Sequence, residues 1–425
     1  MKQLLKIIIA SLFLFGQSNL SFGQNSVYSE PLPCRSGEAM RHFYQQNPDA
    51  LIESKAFESD SKNKTNTIFT YVIPVVFHVY GTTQNGYAVD SSIIQTALDM
   101  MNADFHGLNA DFLTVHNQFS TIKSTLDIQF ALAQLDTNGN STNGIINHPV
   151  TSGYGNWNGY DSLIALDAWD NYKYMNIYIM NDLYNDGVTN NSGIAWYPNA
   201  NMSNQRTARI VYNGAYLGTN CNSWNPEFAS TLTHEYGHFL NLIHTFEGGC
   251  TSPNDNVSDT PPCTTAQGCP SSQTSNAPLN CNNDLVNSEN YMDYNTTCYK
   301  MFTTGQVGRM VTALNHPARI TLWQYSNLVA TGLAHLVTGK SIENEKILLD
   351  VFPNPANEVL FFQLRGFQEN CTLEILNSNG IVVYQDSVIA GKYSSEINCS
   401  KFTKGLYFIS VKGDNFQEFK KIVLQ

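Results

Sequence analysis

Charged residues are scarce in this sequence. They make up 14% of its 425 residues, against roughly 25% in soluble globular proteins. Basic residues are the scarcer kind, because 23 Lys and Arg stand against 35 Asp and Glu, for a net charge of −12. This deficit argues against nucleic acid or an anionic membrane surface as the partner. Uncharged polar residues such as Asn, Ser and Thr must supply the polar surface, as is common in extracellular proteins.

Long apolar runs are also missing. The run from Ile7 to Phe15 follows two lysines and is too short to cross a bilayer, which takes about 20 residues. Small residues precede Gln24, so residues 1–23 are predicted to be a secretory signal peptide. A membrane anchor is the alternative, and the short run disfavours it. We expect an exported protein with no membrane span.

The remaining chain divides by composition. Residues 24–68 are polar and proline-punctuated, which predicts a propeptide. Residues 69–332 mix strands and helices and predict an α+β catalytic domain with a twisted sheet. Its predicted strands are 69–80, with Pro74 at a strand start or sheet edge, and 126–135, 174–180 and 208–212; its predicted helices are 90–105 and 306–325. A linker over 333–348 leads to strands and turns over 349–425, which fit a small all-β sandwich of about seven strands.

The catalytic chemistry is concentrated between His234 and His244. His234 and His238 are four residues apart, so on an α-helix they lie on a single face. Two neutral imidazoles in that arrangement can bind one Zn²⁺. Glu235 directly follows the first histidine, which puts its carboxylate beside an open coordination position, where it can take a proton from a water acidified by the metal. The pattern predicts a zinc hydrolase, although it can also occur by chance on an amphipathic helix.

A third histidine strengthens the zinc interpretation. On a continuous helix His244 would lie roughly 120° away from the metal face and about 9 Å beyond His238. It can reach the same ion only if the helix ends and the chain turns back, which usually requires a residue with positive φ. Asn241 stands at that place, and asparagine tolerates the left-handed region well. We therefore predict His234, His238 and His244 as the three zinc ligands of a catalytic site.

A second motif, Asn290-Tyr291-Met292-Asp293-Tyr294, follows further along the chain. With the histidine signature it resembles the Met-turn of metzincin metalloproteases, although the metzincin signature has glycine where this chain has Asn241. The resemblance implies that Met292 forms an apolar floor beneath the histidines. It also implies that Tyr294 lies near the metal, where it can stabilise an oxyanion. A methionine in a loop is otherwise ordinary core filler.

Further motifs are similar to the pappalysin family of metzincins. They are Gly248-Gly249-Cys250, Asp259-Thr260-Pro261, Gly268-Cys269-Pro270 and the segment from Cys298 to Met310. The specific matches cover residues 231–310. The resemblance implies a two-lobed zinc endopeptidase whose active-site helix lies at the floor of a horizontal cleft. Proteins or peptides are the implied substrates.

Nine cysteines in an exported chain leave one over after pairing. The expected disulfides are Cys250–Cys281 and Cys269–Cys298, which the pappalysin resemblance implies, and Cys221–Cys263 and Cys371–Cys399, which join cysteines left within one domain or module. Sequence alone does not fix this connectivity. A second zinc site made of Cys and His is the alternative, and the secretory context disfavours it.

The leftover cysteine is Cys34, in a polar propeptide with no core to join. A thiolate is a strong zinc ligand, and at the open coordination position it would displace the catalytic water. Zymogens of some pappalysins use a propeptide cysteine followed directly by glycine in this way, whereas here the glycine is Gly37. We predict that Cys34 holds the precursor latent; a thiol with no role is the alternative.

Residues 254–260 form an oxygen-rich segment. Oxygen ligands on a loop suit Ca²⁺ better than a transition metal. The pappalysin resemblance implies calcium in this region, with Asp255 and Thr260 as ligands. An ordinary turn rich in Asn and Asp is the alternative.

The C-terminal module resembles a type IX secretion sorting domain. The resemblance rests on Pro353-Asn354-Pro355-Ala356, on Lys404-Gly405-Leu406-Tyr407-Phe408 and on the ending Phe419-Lys420-Lys421-Ile422-Val423. It implies export across the outer membrane by the type IX machinery, to the cell surface or the medium. A retained carbohydrate-binding or adhesive module is the alternative.

The sequence as a whole therefore predicts a secreted zinc endopeptidase. A non-catalytic adhesin on a metalloprotease scaffold is the alternative from another functional class. Glu235 discriminates between them, because a pseudo-enzyme needs no carboxylate at that position.

The loop after the Met-turn leads to a prediction about specificity. Some pappalysins that cleave beside basic residues carry acidic residues there, on the primed side, whereas this chain has Asn295-Thr296-Thr297 and one residue fewer. We expect no strong preference for Arg or Lys on the primed side, measured by mass spectrometry of a digested peptide library. A profile dominated by those residues directly after the scissile bond would contradict this.

Overall fold

The structure is a computed structural model of the chain. It describes residues 32–60, 70–222, 225–251, 254–264, 268–275, 279–280, 282–283, 285–338, 348–365, 371–388, 394–413 and 417–425. The predicted signal peptide and residues 339–347 of the predicted linker lie outside the described residues.

The first 338 residues hold the helices and the larger sheet. The strands there are β1 (Tyr71–Tyr80), β2 (Thr83–Gln84), β3 (Tyr87–Ala88), β4 (Lys123–Ser124), β5 (Ile128–Leu132), β6 (Ile145–His148), β7 (Met175–Ile179), β8 (Gly193–Ala195), β9 (Ile210–Tyr212) and β10 (Phe302–Thr303). The helices are α1 (Ser36–Gln46), α2 (Pro48–Asp60), α3 (Ser91–His106), α4 (Asp161–Asp167), α5 (Ala200–Asn204), α6 (Thr231–Phe239), α7 (Thr304–Leu314), α8 (Tyr325–Ala330) and α9 (His335–Thr338).

The main sheet has the order β5-β1-β7-β9-β8, with β6 pairing the second half of β1. Its pairings are parallel except the last, where β8 runs antiparallel to β9. β8 therefore forms an edge of the sheet. An edge strand offers backbone N–H and C=O groups to which an extended chain can pair.

Pro74 lies inside β1, so its predicted place at a strand start or a sheet edge is wrong. Tyr71 donates to the Asp127 carbonyl and Val75 accepts from Ala133, so the odd-numbered residues of β1 form their bonds on the β5 side. The nitrogen of Pro74 faces the opposite side, where pairing with β7 begins only at Val75. The missing N–H therefore removes no bond of the ladder.

One apolar core joins the sheet to three helices. It includes Phe77 of β1, Leu98 of α3, Tyr236 of α6 and Met310 of α7, all buried. α3 begins where the Asp90 side chain accepts from two backbone N–H groups, a standard N-cap. The active-site helix α6 is thus fixed between the sheet and two other helices.

The predicted long helix over 306–325 is shorter in the structure. α7 begins at a capping box between Thr303 and Gln306 and ends at Leu314. Pro317 follows, and proline cannot continue a helix because it lacks an N–H and its ring clashes with the preceding turn. The chain resumes with a 3-10 turn over Ile320–Trp323 and then α8.

Residues 32–60, the described part of the predicted propeptide (the prosegment), have more structure than their composition suggests. α1 and α2 contribute Ala39, Met40 and Phe57 to cores shared with the rest of the chain. The expectation that Cys34 has no core to join is also wrong, because its side chain is buried. The few apolar residues of this segment share their cores with the neighbouring domain, so the segment's own composition underestimates its order.

The C-terminal module is the expected all-β sandwich. Its strands are β11 (Leu348–Phe352), β12 (Val359–Arg365), β13 (Cys371–Asn377), β14 (Val382–Val388), β15 (Ser394–Asn398), β16 (Gly405–Lys412) and β17 (Gln417–Leu424). They form two antiparallel sheets, β11-β12-β15 and β14-β13-β16-β17, around buried Leu360, Ile375 and Ile409. The structure does not form the predicted Cys371–Cys399 disulfide. Both described residues are buried in this core, where cysteine behaves as a small apolar residue.

The other cysteine predictions have mixed outcomes. The structure joins Cys269 to Cys298, and Cys250 is disulfide-bonded, while its predicted partner Cys281 lies outside the described residues. The predicted Cys221–Cys263 disulfide is wrong. These two described residues lie in separate apolar cores and are thiols, each donating to a nearby carbonyl.

No helix in the described part of the chain combines the length and the apolar character needed to cross a bilayer.

Candidate active site

The three predicted ligand histidines meet at one point. His234 and His238 lie on one face of α6, which ends directly before Leu240. Asn241 has a φ of 68°, the left-handed conformation expected of the residue that turns the chain back. The Nε2 atom of His238 lies 3.0 Å from Nε2 of His234 and 3.1 Å from Nε2 of His244.

Backbone carbonyls fix the tautomers of two of these rings. Nδ1 of His234 donates to the Tyr291 carbonyl at 2.6 Å, and Nδ1 of His238 donates to the Leu242 carbonyl at 2.8 Å. Their Nε2 lone pairs are therefore left facing each other, which is unfavourable unless a cation lies between them. Ligand nitrogens of a tetrahedral zinc ion with bonds of about 2.0–2.1 Å lie roughly 3.3 Å apart. The donor set fits zinc.

The interior of the site keeps the imidazoles neutral, as metal ligation requires. Burial lowers the pKa of His234 to about 4, and it also lowers the pKa values of His238 and His244 well below the ordinary value. A neutral imidazole is the form that binds a metal.

Glu235 is fully buried beside this cluster. Within the described residues its Oε1 atom has no hydrogen-bond partner, and burial raises the pKa of the carboxyl to about 8. Gly193 of β8 makes room for it, because a Cβ there would lie 2.9 Å from Cγ and Oε1 of Glu235. An unsatisfied buried carboxylate oxygen at this point is free to take a hydrogen bond from a water or a substrate.

Cys34 completes the cluster. The Cys34 sulfur and one nitrogen from each of the three histidines all lie within 4.8 Å of one another, and Oε2 of Glu235 accepts from the thiol at 3.5 Å. The Tyr294 hydroxyl donates to the Cys34 carbonyl, while its ring lies 4.8 Å from that of His244. Cys34 and Tyr294, which the sequence linked to the site through family resemblance, therefore both lie beside the three histidines.

The prosegment runs along the edge strand to reach this point. Leu32 pairs with Asn191 in a parallel bridge, and the amide of Ala195 donates to the Ser36 hydroxyl at 2.9 Å. Residues 32–36 thus occupy the open edge of the sheet beside the histidines. No sequence pattern predicts this pairing, since it depends on a contact between segments about 160 residues apart.

Arg309 of α7 is a further site residue that the sequence did not reveal. Its Nε atom donates to the Asn241 carbonyl at 2.7 Å, and its two terminal nitrogens donate to both oxygens of Glu58 at 2.6 Å. It therefore holds the turn between His238 and His244 and also binds the far end of the prosegment. A buried arginine is common enough that its spacing in the sequence carries no signal.

The two predicted calcium ligands bond to each other. The Thr260 hydroxyl lies 2.7 and 2.8 Å from the two oxygens of Asp255, to which it donates. The amide of Val257 donates to the same carboxylate at 3.1 Å, as in the Asn- and Asp-rich turn that is the alternative. Burial raises the pKa of Asp255 to about 7.

Together the converging imidazoles, the adjacent buried glutamate and the methionine turn below them define a metzincin-type zinc metalloprotease. Comparison with known proteins gives the family. The pregnancy-associated plasma protein-A peptidase family matches residues 158–315, and the secretion system C-terminal sorting domain matches residues 350–425. The chain belongs to the pappalysin family of metzincins and carries a type IX sorting domain.

Relatives in sequence and structure agree with this assignment. An extracellular metalloprotease of Sordaria macrospora is 29% identical over 67% of this chain and 89% of its own length, and one of Podospora anserina is 32% identical over 48% and 67%. A promirolysin mutant of Tannerella forsythia has a TM-score of 0.56 at 27% identity, covering 70% of this chain and 98% of its own. The mature mirolysin of that organism, in complex with a cleaved peptide, has a TM-score of 0.52 at 28% identity, covering 62% and 99%. The chain is a secreted or cell-surface zinc endopeptidase.

The methionine turn leads to a prediction about Gly237. A Cβ at this helical position would lie 2.5 Å from the sulfur of Met292, which is fully buried. Alanine normally stabilises a helix by about 1 kcal/mol relative to glycine, but here we expect Gly237→Ala to lower the free energy of unfolding by about 1–3 kcal/mol through overpacking. Zinc retention should fall as well, because the displaced methionine lies against the ligand helix. Urea unfolding and zinc analysis measure both effects.

The control is the same substitution in a Met292→Ala background. With the sulfur removed, Gly237→Ala should be neutral or stabilising. Equal destabilisation in both backgrounds would show that the methionine does not limit the space at Gly237.

Proposed function

We propose that His234, His238 and His244 hold the zinc ion of this endopeptidase and that Glu235 is its general base. The observation that supports this most directly is the convergence of three neutral Nε2 atoms beside a buried carboxylate with one unsatisfied oxygen. Three protein ligands leave one coordination position open, as catalysis requires.

The chain's own residues divide the remaining work of peptide hydrolysis. Zinc, when bound, supplies Lewis acidity and makes water a nucleophile near neutral pH. Glu235 takes the proton of the attacking water and later gives it to the amine nitrogen that leaves. The edge of β8 aligns the substrate backbone by strand pairing.

We propose that the Tyr294 hydroxyl stabilises the oxyanion that forms on the substrate carbonyl. In the precursor its hydroxyl donates to a peptide carbonyl, that of Cys34. A substrate carbonyl at the same place would accept the same bond, and it would accept it more strongly as negative charge develops on the oxygen.

We propose that the prosegment keeps the precursor latent with the Cys34 sulfur as the ligand at the open position. Support comes from the proximity of this sulfur to the three histidines and from residues 32–36 along β8, where a substrate would bind. Ion pairs further from the zinc site also hold the prosegment on the catalytic domain. They include the Arg41–Glu247 ion pair at 2.7 Å and the Glu58–Arg309 pair.

Calcium stays a prediction for the segment that holds Asp255 and Thr260. The hydrogen-bond partners of the buried Asp255 carboxyl are a hydroxyl and an amide, neither of which is charged, and a hard cation with oxygen ligands would favour its ionised form. After a chelator has removed all metal, the protein is given back zinc alone or zinc with calcium. A higher melting temperature in the sample with calcium would support the site. Equal melting temperatures would exclude it.

The proposed order of maturation follows from the domain limits. Residues 1–23 direct export, residues 24–68 keep the enzyme latent, and residues 69–332 hydrolyse the substrate. After a linker over 333–348, the module over 349–425 addresses the protein to the type IX machinery before it is removed.

Replacing Glu235 by alanine tests its role as general base. General base assistance contributes about 10²–10⁴-fold, so Glu235→Ala should lose at least that much casein-hydrolysing activity while it keeps its zinc and its melting temperature. The protein is prepared as the full-length precursor and activated by limited proteolysis. Its activity is measured before metal removal, after removal by a chelator and after zinc is restored. Glu374→Ala, a carboxylate of the β-sandwich, is the matched control and should hydrolyse casein normally. Undiminished turnover by zinc-loaded Glu235→Ala would remove Glu235 from the mechanism and revive the adhesin alternative.

Replacing Cys34 by serine tests latency. A hydroxyl is a much weaker zinc ligand than a thiolate, so the uncleaved Cys34→Ser precursor should hydrolyse peptide substrates that the wild-type precursor does not. Adding Glu58→Gln, which loses the charge paired with Arg309, should raise this activity further. Cys221→Ser alters another buried thiol and should leave the precursor latent. A Cys34→Ser precursor that is fully inactive would show that the segment blocks the cleft without help from the sulfur.

A further inference from the structure

Arg35, the residue after Cys34, occupies a pocket made of two aromatic rings. Its guanidinium carbon lies 5.1 Å from the centroid of Trp157 and 5.1 Å from that of Tyr184. Both distances are within the range of about 6 Å over which a cation is attracted to a ring face. His42 of α1 stacks on Trp157 as well, at 4.6 Å and an interplanar angle of 7°. The prosegment thus covers both rings beside the zinc ligands.

The catalytic domain itself holds the loops that carry these two rings. The amide of Gly155 donates to the Leu183 carbonyl at 2.8 Å, and the side-chain amide of Asn156 donates to the Tyr184 carbonyl at 2.8 Å. These bonds join the loop before Trp157 to the loop that carries Tyr184.

A buried arginine, Arg209, also holds the loop before Trp157. Arg209 donates to the carbonyls of Tyr154 and Asn156 at 2.8 and 2.9 Å, and its guanidinium lies 3.6 Å from the centroid of Trp196. None of these hydrogen bonds involves the prosegment, so the departure of Arg35 breaks none of them. The prosegment also packs on the same rings through α1.

The charges around the pocket also favour a cation. The Nε atom of Arg35 donates to the Glu38 carboxylate at 2.8 Å. Glu38 belongs to the prosegment and leaves with it. Asp186 belongs to the catalytic domain, is exposed and follows Tyr184 by two residues in the chain.

The pocket lies on a definite side of the zinc site. Beyond Arg35 the chain enters α1, whose Arg41 pairs with Glu247, after the C-terminal end of α6. The loop after the Met-turn lies at the other end of α6, where Asn225 donates to the Thr296 carbonyl directly before the turn that leads into the helix. Since the pappalysin resemblance puts that loop on the primed side, the aromatic pocket belongs to the non-primed side.

We propose that Trp157 and Tyr184 form a subsite for a cationic side chain of the substrate, on the non-primed side of the scissile bond. Arg35 occupies this subsite in the precursor as a substitute for that side chain. The inference rests on the proposed peptidase function and deepens it by naming a substrate class. It is compatible with a primed side that does not select Arg or Lys, because the two subsites lie at opposite ends of α6.

Arginine should bind the subsite better than lysine. A planar guanidinium can stack on an aromatic face and is more weakly hydrated than an ammonium group. We therefore expect arginine, followed by lysine, to be enriched at one position within two residues before the scissile bond.

The first measurement is a cleavage profile of the full-length chain after activation by limited proteolysis. A peptide library identifies the enriched position, and two peptides that differ only there, with arginine or norleucine, give the ratio of their kcat/KM values. Trp157→Ala should lower this ratio by about 3- to 30-fold, the range that a cation–π contact gives. Trp157→Phe keeps a ring and should keep part of the preference.

Charge variants provide an independent test that leaves both rings in place. Asp186→Asn should lower the ratio by about 2- to 3-fold, as expected for an exposed charge pair. Asp99→Asn removes another exposed carboxylate, on α3, and should leave the ratio as it is in the wild type.

The outcomes separate this inference from the proposed function. An active, chelator-sensitive enzyme without enrichment of Arg or Lys before the scissile bond would overturn the subsite alone. So would a ratio that stays constant in both Trp157→Ala and Asp186→Asn. A wild-type chain with no zinc-dependent peptidase activity would overturn the proposed function, and the subsite with it.

Discussion

The active site depends on keeping three neutral imidazole nitrogens close together in a dry interior. Their lone pairs repel one another, so the arrangement needs the surrounding structure to enforce it until a cation binds. The carbonyls of Tyr291 and Leu242 set the tautomers, and the left-handed turn at Asn241 returns the chain. At Gly237 the helix has no side chain, and an added Cβ would lie 2.5 Å from the Met292 sulfur. Each of these features serves one geometry, which explains why helix, turn and methionine loop occur together in one sequence signature.

The predicted propeptide lies at the places where the proposed function puts a substrate. Residues 32–36 lie along the edge strand, the Cys34 carbonyl accepts from Tyr294, and Arg35 occupies the aromatic pocket. The Cys34 sulfur lies within 4.8 Å of one nitrogen from each of the three histidines, where the proposed mechanism puts the attacking water. A segment that binds like a substrate but brings a better ligand can inhibit without a large interface.

The sequence predicts those parts of the site that lie close together along the chain. The spacing of His234, Glu235 and His238, the turn residue Asn241 and the methionine motif all act within one or two turns of backbone, so local periodicity and turn chemistry reveal them. Trp157, Tyr184 and Arg309 reach the site through tertiary packing, for which a single sequence has no signal. The order of the prosegment was underestimated for the same reason, since its apolar residues pack on another segment. Two predicted disulfides are absent from the structure, because a shared domain does not bring two cysteines into bonding geometry, and a buried cysteine packs well in an apolar core.

Arg309 connects latency to the geometry of the zinc ligands. Its side chain is only 3% exposed, and a buried charge is costly unless it is paired. In the precursor Glu58 pairs with it, while its Nε atom holds the carbonyl of Asn241. The proposed removal of α2 would take this carboxylate away from Arg309 and leave its bond to the Asn241 carbonyl as the contact within the catalytic domain. The charge of Arg309 is also among the smaller effects that lower the pKa of Asp255. Arg309 therefore relates the turn that directs His244 to the metal both to the predicted propeptide and to the oxygen-rich loop.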